Sequence, residues 1–273
     1  MNLEGILIHK TPVKERDLIC KLLLRSGKTI NLYFYGGQGG GKFSKGSILE
    51  LGHMIKVTLS PQRKKLNTEL HTVKEYTLIW DAAHIRKNYQ AFYLLSLYAE
   101  IIQKIAVEED IHQQHEFEEH QEIFKVFSNA VFCLNDSLGS ENYFLYQQLF
   151  IFLTKLNFEL GILPDYEQCL HCHIDLKKID LARFEPQHGG FTCRECLLSA
   201  DQFVSQDKML FEELTSSMQL KDSLIKTLHS PYKEYARLGD ISRGQCNSMF
   251  NYFCYQFEFE PSQFKTWSML GSL

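Results

Sequence analysis

The first 80 residues contain an alternating stretch, Ile30-Asn31-Leu32-Tyr33-Phe34-Tyr35, that indicates a half-buried β-strand. Successive side chains of a strand point to opposite faces. The apolar members of the stretch are therefore predicted to face a core, whereas Asn31, Tyr33 and Tyr35 are predicted to lie together on the other face. Aromatic rings beside lysines and arginines are the combination that lets unpaired bases stack while phosphates are neutralised.

Four further β-prone runs surround this stretch, and turn signals containing proline or glycine separate them. The runs cover residues 5–9, 18–24, 54–59 and 70–79. Five short strands within about 80 residues predict a small β-barrel. We favour an OB-fold, although an SH3-like barrel would give a similar strand count.

After Trp80 the apolar residues recur at three- and four-residue steps, which indicates helices. Helices are predicted over residues 88–105, 116–134, 141–160, 207–218, 221–229 and 242–257. The second ends at the breaker Asn135-Asp136. The predicted fold is therefore α+β, with the N-terminal OB-fold barrel at 1–80 and a helical domain made of 81–164 and 201–273. Residues 165–200 are predicted to be a zinc finger inserted into that helical domain.

Charge is distributed unevenly along the chain. The net charge of the 273 residues is −4, which taken alone argues against nucleic-acid binding. Residues 1–80, however, carry 13 Lys and Arg against six Asp and Glu, or +7, which leaves −11 for residues 81–273. This asymmetry suggests a basic module that meets a polyanion, attached to an acidic body. We find no membrane or export signal and expect a cytoplasmic protein.

Two CxxC pairs are the strongest local motif. Cys169 and Cys172 form the first pair, and Cys193 and Cys196 form the second after twenty intervening residues. Two such turns supply the tetrahedral sulfur shell that zinc favours, so one structural Zn²⁺ is predicted. Two alternatives remain open: the pairs are redox sites or incidental thiols, or a neighbouring histidine replaces one cysteine as a ligand. The histidines concerned are His171, His173 and His188.

Most cations of the basic module fall in predicted connections between strands, and loops at one rim of a barrel can converge on one surface. Together with Tyr33 and Tyr35 they form the predicted DNA-binding set: Lys14, Arg16, Arg25, Lys28, Lys42, Lys45, Arg63, Lys64 and Lys65. A solvated basic face, with the two tyrosines packed against helices, is the alternative. The acidic stretch 108–119 is predicted to be a solvated connection, and a second metal site at His112, His115 and His120 is the alternative.

No motif indicates catalysis. Residues 36–42 fit the spacing G-x-x-x-x-G-K of a phosphate loop, but Phe43 stands where Ser or Thr must hold Mg²⁺. We find no nucleophile or paired-acid motif elsewhere. The chain is therefore predicted not to be an enzyme.

Four stretches that together span nearly the whole chain match one known pattern. They are Gly5-Ile6-Leu7-Ile8 with Glu15-Arg16-Asp17-Leu18-Ile19; Lys42-Phe43-Ser44-Lys45-Gly46; Gly161-Ile162-Leu163-Pro164 leading into the CxxC pairs; and Phe264-Lys265-Thr266-Trp267-Ser268-Met269-Leu270. This pattern resembles the RecO family of bacterial recombination mediators. The third stretch is the most specific, and the connection at 36–46 is poorer in arginine than the family pattern.

The resemblance implies an N-terminal OB-fold, a helical C-terminal domain and an inserted zinc finger. It also implies binding of single- and double-stranded DNA, annealing of complementary strands, and a role in DNA repair and recombination. The implied partners are RecR, sometimes RecF, the single-stranded DNA-binding protein, and RecA, which is loaded onto the coated DNA. Lys14, Arg16, Lys42 and Lys45 carry over as DNA contacts. The alternative function is a zinc-stabilised scaffold that binds RNA or protein without annealing.

Overall fold

The computed structural model describes residues 1–38, 48–60, 70–109, 121–140, 142–199, 208–232, 234 and 238–270. Over these residues the fold is α+β, with a closed five-stranded barrel followed by helices and a small second sheet. Within the same ranges, none of the helices combines the length and the apolar character that crossing a membrane requires.

The barrel is built from the five strands that the sequence predicts. They are β1 (Asn2–Val13), β2 (Asp17–Leu24), β3 (Thr29–Phe34), β4 (Met54–Leu59) and β5 (Leu70–Trp80). Their order is β1-β2-β3-β5-β4, and pairing of β1 with β4 closes the barrel. Neighbouring strands run antiparallel except β3 and β5, which pair in parallel.

Alternation along β3 is confirmed. Ile30, Leu32 and Phe34 are at most 2% exposed and belong to the barrel core. Asn31 is half-buried on the opposite face, next to Lys21 of β2, its cross-strand partner. Burying one face of each strand removes apolar surface from water, and this fixes the register of the barrel.

Seven α-helices lie within the described residues, and the predicted end of the second helix, the predicted start of the third and the predicted break at residues 219–220 were wrong. The helices are α1 (Tyr89–Ile105), α2 (Gln121–Gly139), α3 (Leu145–Glu159), α4 (Arg194–Ser199), α5 (Lys208–His229), α6 (Arg243–Gln256) and α7 (Lys265–Leu270). The α2 helix continues through Asn135, because the side-chain oxygen of Asn135 accepts the N–H of His84 instead of competing for its own backbone. The α5 helix is continuous, because Gln219 and Leu220, between the two predicted helices, both favour helix.

The chain divides into two compact units, Met1–Tyr143 with Phe264–Leu273, and Phe144–Gln263. The first unit holds the barrel, α1, α2 and α7. Its C-terminal helix is tied to α1 by Glu100, whose carboxylate accepts the backbone N–H groups of Lys265 and Thr266 at 3.0 and 3.2 Å. The second unit holds α3 to α6 and the small sheet. The helices of the predicted 81–164 and 201–273 domain are therefore distributed between both units.

The small sheet carries the two cysteine pairs. It consists of β6 (Asp165–Cys169), β7 (Ala182–Glu185) and β8 (Gly190–Cys193), in the order β6-β8-β7. The β6 and β8 strands pair in parallel, with Cys169 opposite Phe191. The two ends that carry cysteines therefore lie at the same edge of the sheet.

Candidate metal centre and nucleic-acid interface

The four predicted cysteines form one cluster. The sulfur atoms of Cys169, Cys172, Cys193 and Cys196 lie within 4.8 Å of one another, and those of Cys172 and Cys193 are 3.6 Å apart. Tetrahedral zinc with Zn–S bonds near 2.3 Å requires sulfur–sulfur distances of roughly 3.8 Å. All eight cysteines of the chain are among the described residues, and all are free thiols. The cluster therefore has about the size of a site for one four-coordinate metal ion.

Two glycines shape the approach to the second cysteine pair. Gly189 has a φ of +77°, a left-handed conformation that favours glycine. At Gly190 an added Cβ would lie 2.9 Å from a methyl carbon of Leu170 and 3.0 Å from the carbonyl oxygen of Asp165. The Gly-Gly pair is therefore required for β8 to lie against the first CxxC turn, which brings Cys193 to Cys169.

Backbone dipoles favour a thiolate at Cys169. Burial acts to raise the pKa of its thiol, but N–H groups directed at the sulfur, first that of Cys193 at 3.3 Å, outweigh burial and lower the pKa to about 6. Burial raises the pKa of both Cys193 and Cys196, where neighbouring sulfur atoms add to the effect at Cys196. A cation held among the four sulfur atoms would offset this mutual repulsion, since metal binding displaces thiol protons.

The histidines that could have replaced a cysteine lie outside the cluster. The described group of potential ligand atoms contains the four cysteines and no histidine. His188 instead contacts Glu185, with its Nδ1 atom 3.0 Å from a carboxylate oxygen. Glu185 is 5% exposed and also accepts a 2.6 Å hydrogen bond from Arg183. The cluster therefore consists of the four cysteines that the CxxC spacing predicts.

The cysteine segment packs within the second unit. Phe184 of β7 lies 5.0 Å, centroid to centroid, from Phe191 of β8 and 5.9 Å from Tyr252 of α6. The buried ammonium of Lys221, on α5, donates a 3.0 Å hydrogen bond to the carbonyl oxygen of Leu176. A metal at the cysteines would therefore fix the edge of a segment that the helices already hold.

The turn between β1 and β2 is the most open cationic feature of the described barrel. Lys14 and Arg16 are both exposed. Among the described lysines and arginines of residues 1–80, these two alone make no ion pair with a described residue; the paired ones are Lys10, Lys21, Arg25, Lys28, Lys56 and Lys74. We call residues 14–16 the cationic turn. Glu15, between the two cations, is also exposed and partly offsets their charge.

Two tyrosines lie near this turn in different environments. Tyr35 is 68% exposed, whereas Tyr33 is 9% exposed. The Tyr33 hydroxyl donates to Asp17 at 2.6 Å, and its ring packs edge-on against Tyr35 with centroids 4.8 Å apart. Of the two predicted stacking rings, only Tyr35 therefore presents an open face, and Tyr33 supports it.

Arg25 and Lys28 lie at the other end of β2 from the cationic turn, and carboxylates hold both. Arg25 pairs with Glu4 at 3.0 Å, and its guanidinium lies 5.7 Å from the ring centroid of Phe124. Lys28 pairs with Glu109 at 3.6 Å. The described members of the predicted DNA-binding set therefore lie at both ends of β2 and do not converge at one rim of the barrel.

The other predicted DNA contacts lie outside the described residues. They are Lys42, Lys45, Arg63, Lys64 and Lys65, and their assignment stays a prediction from sequence.

Sequence reasoning missed a set of contacts on the outer face of β2 and β3, which we define by Ile19, Lys21, Asn31 and Tyr33. Glu108, predicted to be solvated, accepts hydrogen bonds there from Lys21 at 2.7 Å and from Asn31 at 3.1 Å. Lys21 lies within a strand, whereas the predicted DNA-binding cations lie in connections between strands. The feature that indicates Lys21 is the strand register, which sets it opposite Asn31.

The described residues thus contain two candidate sites: the four-cysteine cluster of the second unit, and the cationic turn with Tyr35 in the first. Neither a family model nor a curated protein matches the chain.

Proposed function

We propose that the barrel is an OB-fold that binds nucleic acid. The strand order β1-β2-β3-β5-β4, closure through β1 and β4, and the parallel pairing of β3 with β5 support this assignment. An SH3-like antiparallel meander would lack that parallel pair. In OB-folds oligonucleotides bind along the face of strands 2 and 3 and the neighbouring loops, which here are the outer face of β2 and β3 and the cationic turn.

We propose further that the chain is a DNA repair and recombination mediator like the RecO family. In this role it binds single- and double-stranded DNA, anneals complementary strands, and acts with RecR to load RecA onto DNA coated by single-stranded DNA-binding protein. RecF is a further candidate partner, and the cytoplasm is the expected location. The observation that carries the proposal is that Lys14 and Arg16, near the exposed ring of Tyr35, are themselves exposed and make no ion pair with any residue that the structure describes.

Annealing by such a surface requires no bond chemistry. Cations lower the repulsion between two phosphate backbones, and an exposed aromatic ring can hold a base unstacked until its complement arrives. We therefore propose that the chain is not an enzyme. The second unit supplies a structural element, because a Zn²⁺ with four thiolate ligands has no open position for substrate.

A strand-annealing assay tests this function directly. Two complementary labelled oligonucleotides are mixed with the protein, without nucleotide, and duplex formation is followed by fluorescence transfer. Annealing well above the spontaneous rate, reduced in Lys14→Gln/Arg16→Gln, supports the mediator. Binding without annealing would instead favour the RNA- or protein-binding scaffold, and shortening of the strands on addition of Mg²⁺ would identify a nuclease.

The matched control is Lys74→Gln/Lys125→Gln, which removes two exposed cations elsewhere in the first unit. Lys74 lies on β5 and pairs with Glu75, and Lys125 lies on α2 and pairs with Glu122. Annealing that falls equally in both double variants would show that only net charge matters, and would contradict the assignment to the cationic turn.

A further inference from the structure

A short acidic segment lies along the barrel after α1. The backbone N–H of Thr29, the first residue of β3, donates to the carbonyl oxygen of Val107 at 2.8 Å. The N–H of Glu109 donates to the carbonyl oxygen of Thr29 at 2.7 Å, so that this segment pairs in parallel with the start of β3. We call residues 106–109 the acidic strap.

Glu108 of the strap occupies the outer face of β2 and β3. One of its carboxylate oxygens accepts from the ammonium of Lys21 at 2.7 Å and from the amide of Asn31 at 3.1 Å. These hydrogen bonds, chiefly that from Lys21, hold the pKa of Glu108 below its ordinary range. Lysine ammonium and asparagine amide groups are also donors that proteins use to hold backbone phosphates.

Glu109 makes an equivalent contact at the neighbouring turn. Its carboxylate lies 3.6 Å from the ammonium of Lys28 and accepts a 3.3 Å hydrogen bond from the hydroxyl of Ser26. Two successive carboxylates of the strap thus neutralise two lysines of the barrel. Ion pairs at partly exposed positions are weak and are screened by salt, so a polyanion can compete for these lysines.

The covered surface is continuous with the proposed nucleic-acid site. Tyr33 stands two residues from Asn31 on β3 and shares its face, and Ile19 stands in the same relation to Lys21 on β2. A strand of nucleic acid bound at the cationic turn would therefore meet the Lys21–Asn31 pair next, where Glu108 now lies.

We propose that the acidic strap is an internal competitor of nucleic acid. In the closed state Glu108 and Glu109 occupy the positions on Lys21, Asn31 and Lys28 that backbone phosphates take once the strap is displaced. The proposal rests on the proposed function, because it assumes that nucleic acid binds this barrel face. It adds that the part of the face covered by the acidic strap is blocked until the strap is displaced. The strap limits binding to the cationic turn until a strand long enough to displace it is bound.

The test uses Glu108→Gln/Glu109→Gln in the full chain. Both glutamines retain the shape of the side chain and leave the backbone hydrogen bonds to Thr29 in place. Binding of a labelled oligothymidylate is measured by anisotropy over a range of salt concentrations. We expect at least fivefold tighter binding at low salt and a salt slope steeper by about 1.4, because two more phosphates of a single strand are neutralised.

The matched control is Glu75→Gln/Glu122→Gln, which makes the same change in net charge and removes the carboxylates that pair with Lys74 and Lys125 elsewhere in the first unit. A gain below twofold is expected. We call Glu108→Gln/Glu109→Gln the released variant. Adding Lys21→Gln/Lys28→Gln to it should return the DNA affinity to the wild-type level. Thermal unfolding checks that every variant is folded.

A second measurement follows the strap itself. Hydrogen exchange at the amide of Glu109, which donates to Thr29 in the closed state, should accelerate when oligothymidylate is added. One outcome would overturn this proposal alone: wild type binds DNA, the affinity gain of Glu108→Gln/Glu109→Gln is no larger than that of its control, and the Glu109 amide stays protected. In that case the strap is not a competitor, and the proposed function stands. If neither wild type nor the released variant binds, both proposals fail.

Discussion

The hydroxyl of Tyr33 donates a 2.6 Å hydrogen bond to one carboxylate oxygen of Asp17, and the N–H of Gly36 donates to the other at 2.9 Å. Asp17 begins β2 and Tyr33 lies near the end of β3, so one carboxylate joins the cationic turn to the exit of the third strand. The Tyr33 ring that this hydrogen bond anchors packs edge-on against Tyr35.

The Tyr33 hydrogen bond sets the pKa of both partners. It is the main cause that lowers the pKa of Asp17 and that raises the pKa of Tyr33 to about 12. Tyr33→Phe should therefore move the Asp17 pKa up toward the ordinary aspartate range, as measured by carbon NMR of its carboxyl group. Tyr35→Phe is the control and should leave the Asp17 pKa in place.

The same pair predicts a pH dependence of stability. Because the folded-state pKa of Asp17 is lowered, its stabilising contribution is present above the ordinary aspartate pKa and is lost as pH falls through the lowered value. The difference in unfolding free energy between wild type and Tyr33→Phe should be constant near neutral pH and shrink in acid. A difference that grows in acid would contradict the assignment.

Lys14 and Arg16 should contribute directly to the salt dependence of DNA binding. Lys14→Gln/Arg16→Gln should make the slope of log affinity against log salt shallower by about 1.4, since each phosphate contact on a single strand accounts for about 0.7. Fluorescence titration with oligothymidylate measures the slope. Lys42→Ala/Lys45→Ala is expected to act in the same direction, and an unchanged slope in either variant would remove its residues from the interface.

Two substitutions of Lys14 distinguish the effect of its charge on DNA binding from the effect of its backbone strain on stability. Its φ of +56° lies in the left-handed region, which costs a non-glycine residue about 1 kcal/mol. Lys14→Gly and Lys14→Ala remove the same charge, so both should weaken DNA binding equally. Only glycine relieves the strain, so the glycine variant should be the more resistant to urea. Equal stability of the two variants would show that the turn relaxes when the lysine is lost.

Removing the metal should affect the second unit first. We expect one zinc per chain by atomic absorption, lost on chelation or in Cys193→Ser, together with faster hydrogen exchange along β8. Cys133→Ala, at a buried cysteine of α2, is the control and should retain the metal. Full zinc content in Cys193→Ser would contradict the four-cysteine ligand set.

The Arg183–Glu185 pair should show the cost of removing the arginine partner of a buried carboxylate. Arg183→Met leaves the 5% exposed carboxylate of Glu185 without its 2.6 Å partner, while the His188 ring nitrogen stays 3.0 Å away. We expect a loss of about 3 kcal/mol in the unfolding free energy of the zinc-loaded protein, measured in urea. Arg183→Met/Glu185→Leu should recover much of this loss, because the charge is removed as well. A double variant no more stable than the single one would mean that packing, and not charge, sets the cost.

The sequence by itself determined the five barrel strands and the two cysteine pairs that form one cluster. Alternation in β3 depends only on the two-residue period of a strand, and the CxxC pairs depend on a spacing of two residues within a turn. Such local patterns are set by covalent geometry, so they can be recognised before the chain is folded.

Only the tertiary structure decided which of the described barrel cations are accessible to a ligand and which are paired with a carboxylate. Lys21 and Glu108 are 87 residues apart in sequence, and they meet because closure of the barrel and the length of α1 deliver the strap to the start of β3. The charge of a segment is a sum over its residues, whereas the availability of each cation depends on the carboxylate beside it. For that reason Lys21 and Lys28 are paired, whereas Lys14 and Arg16 make no ion pair with a residue of the described ranges.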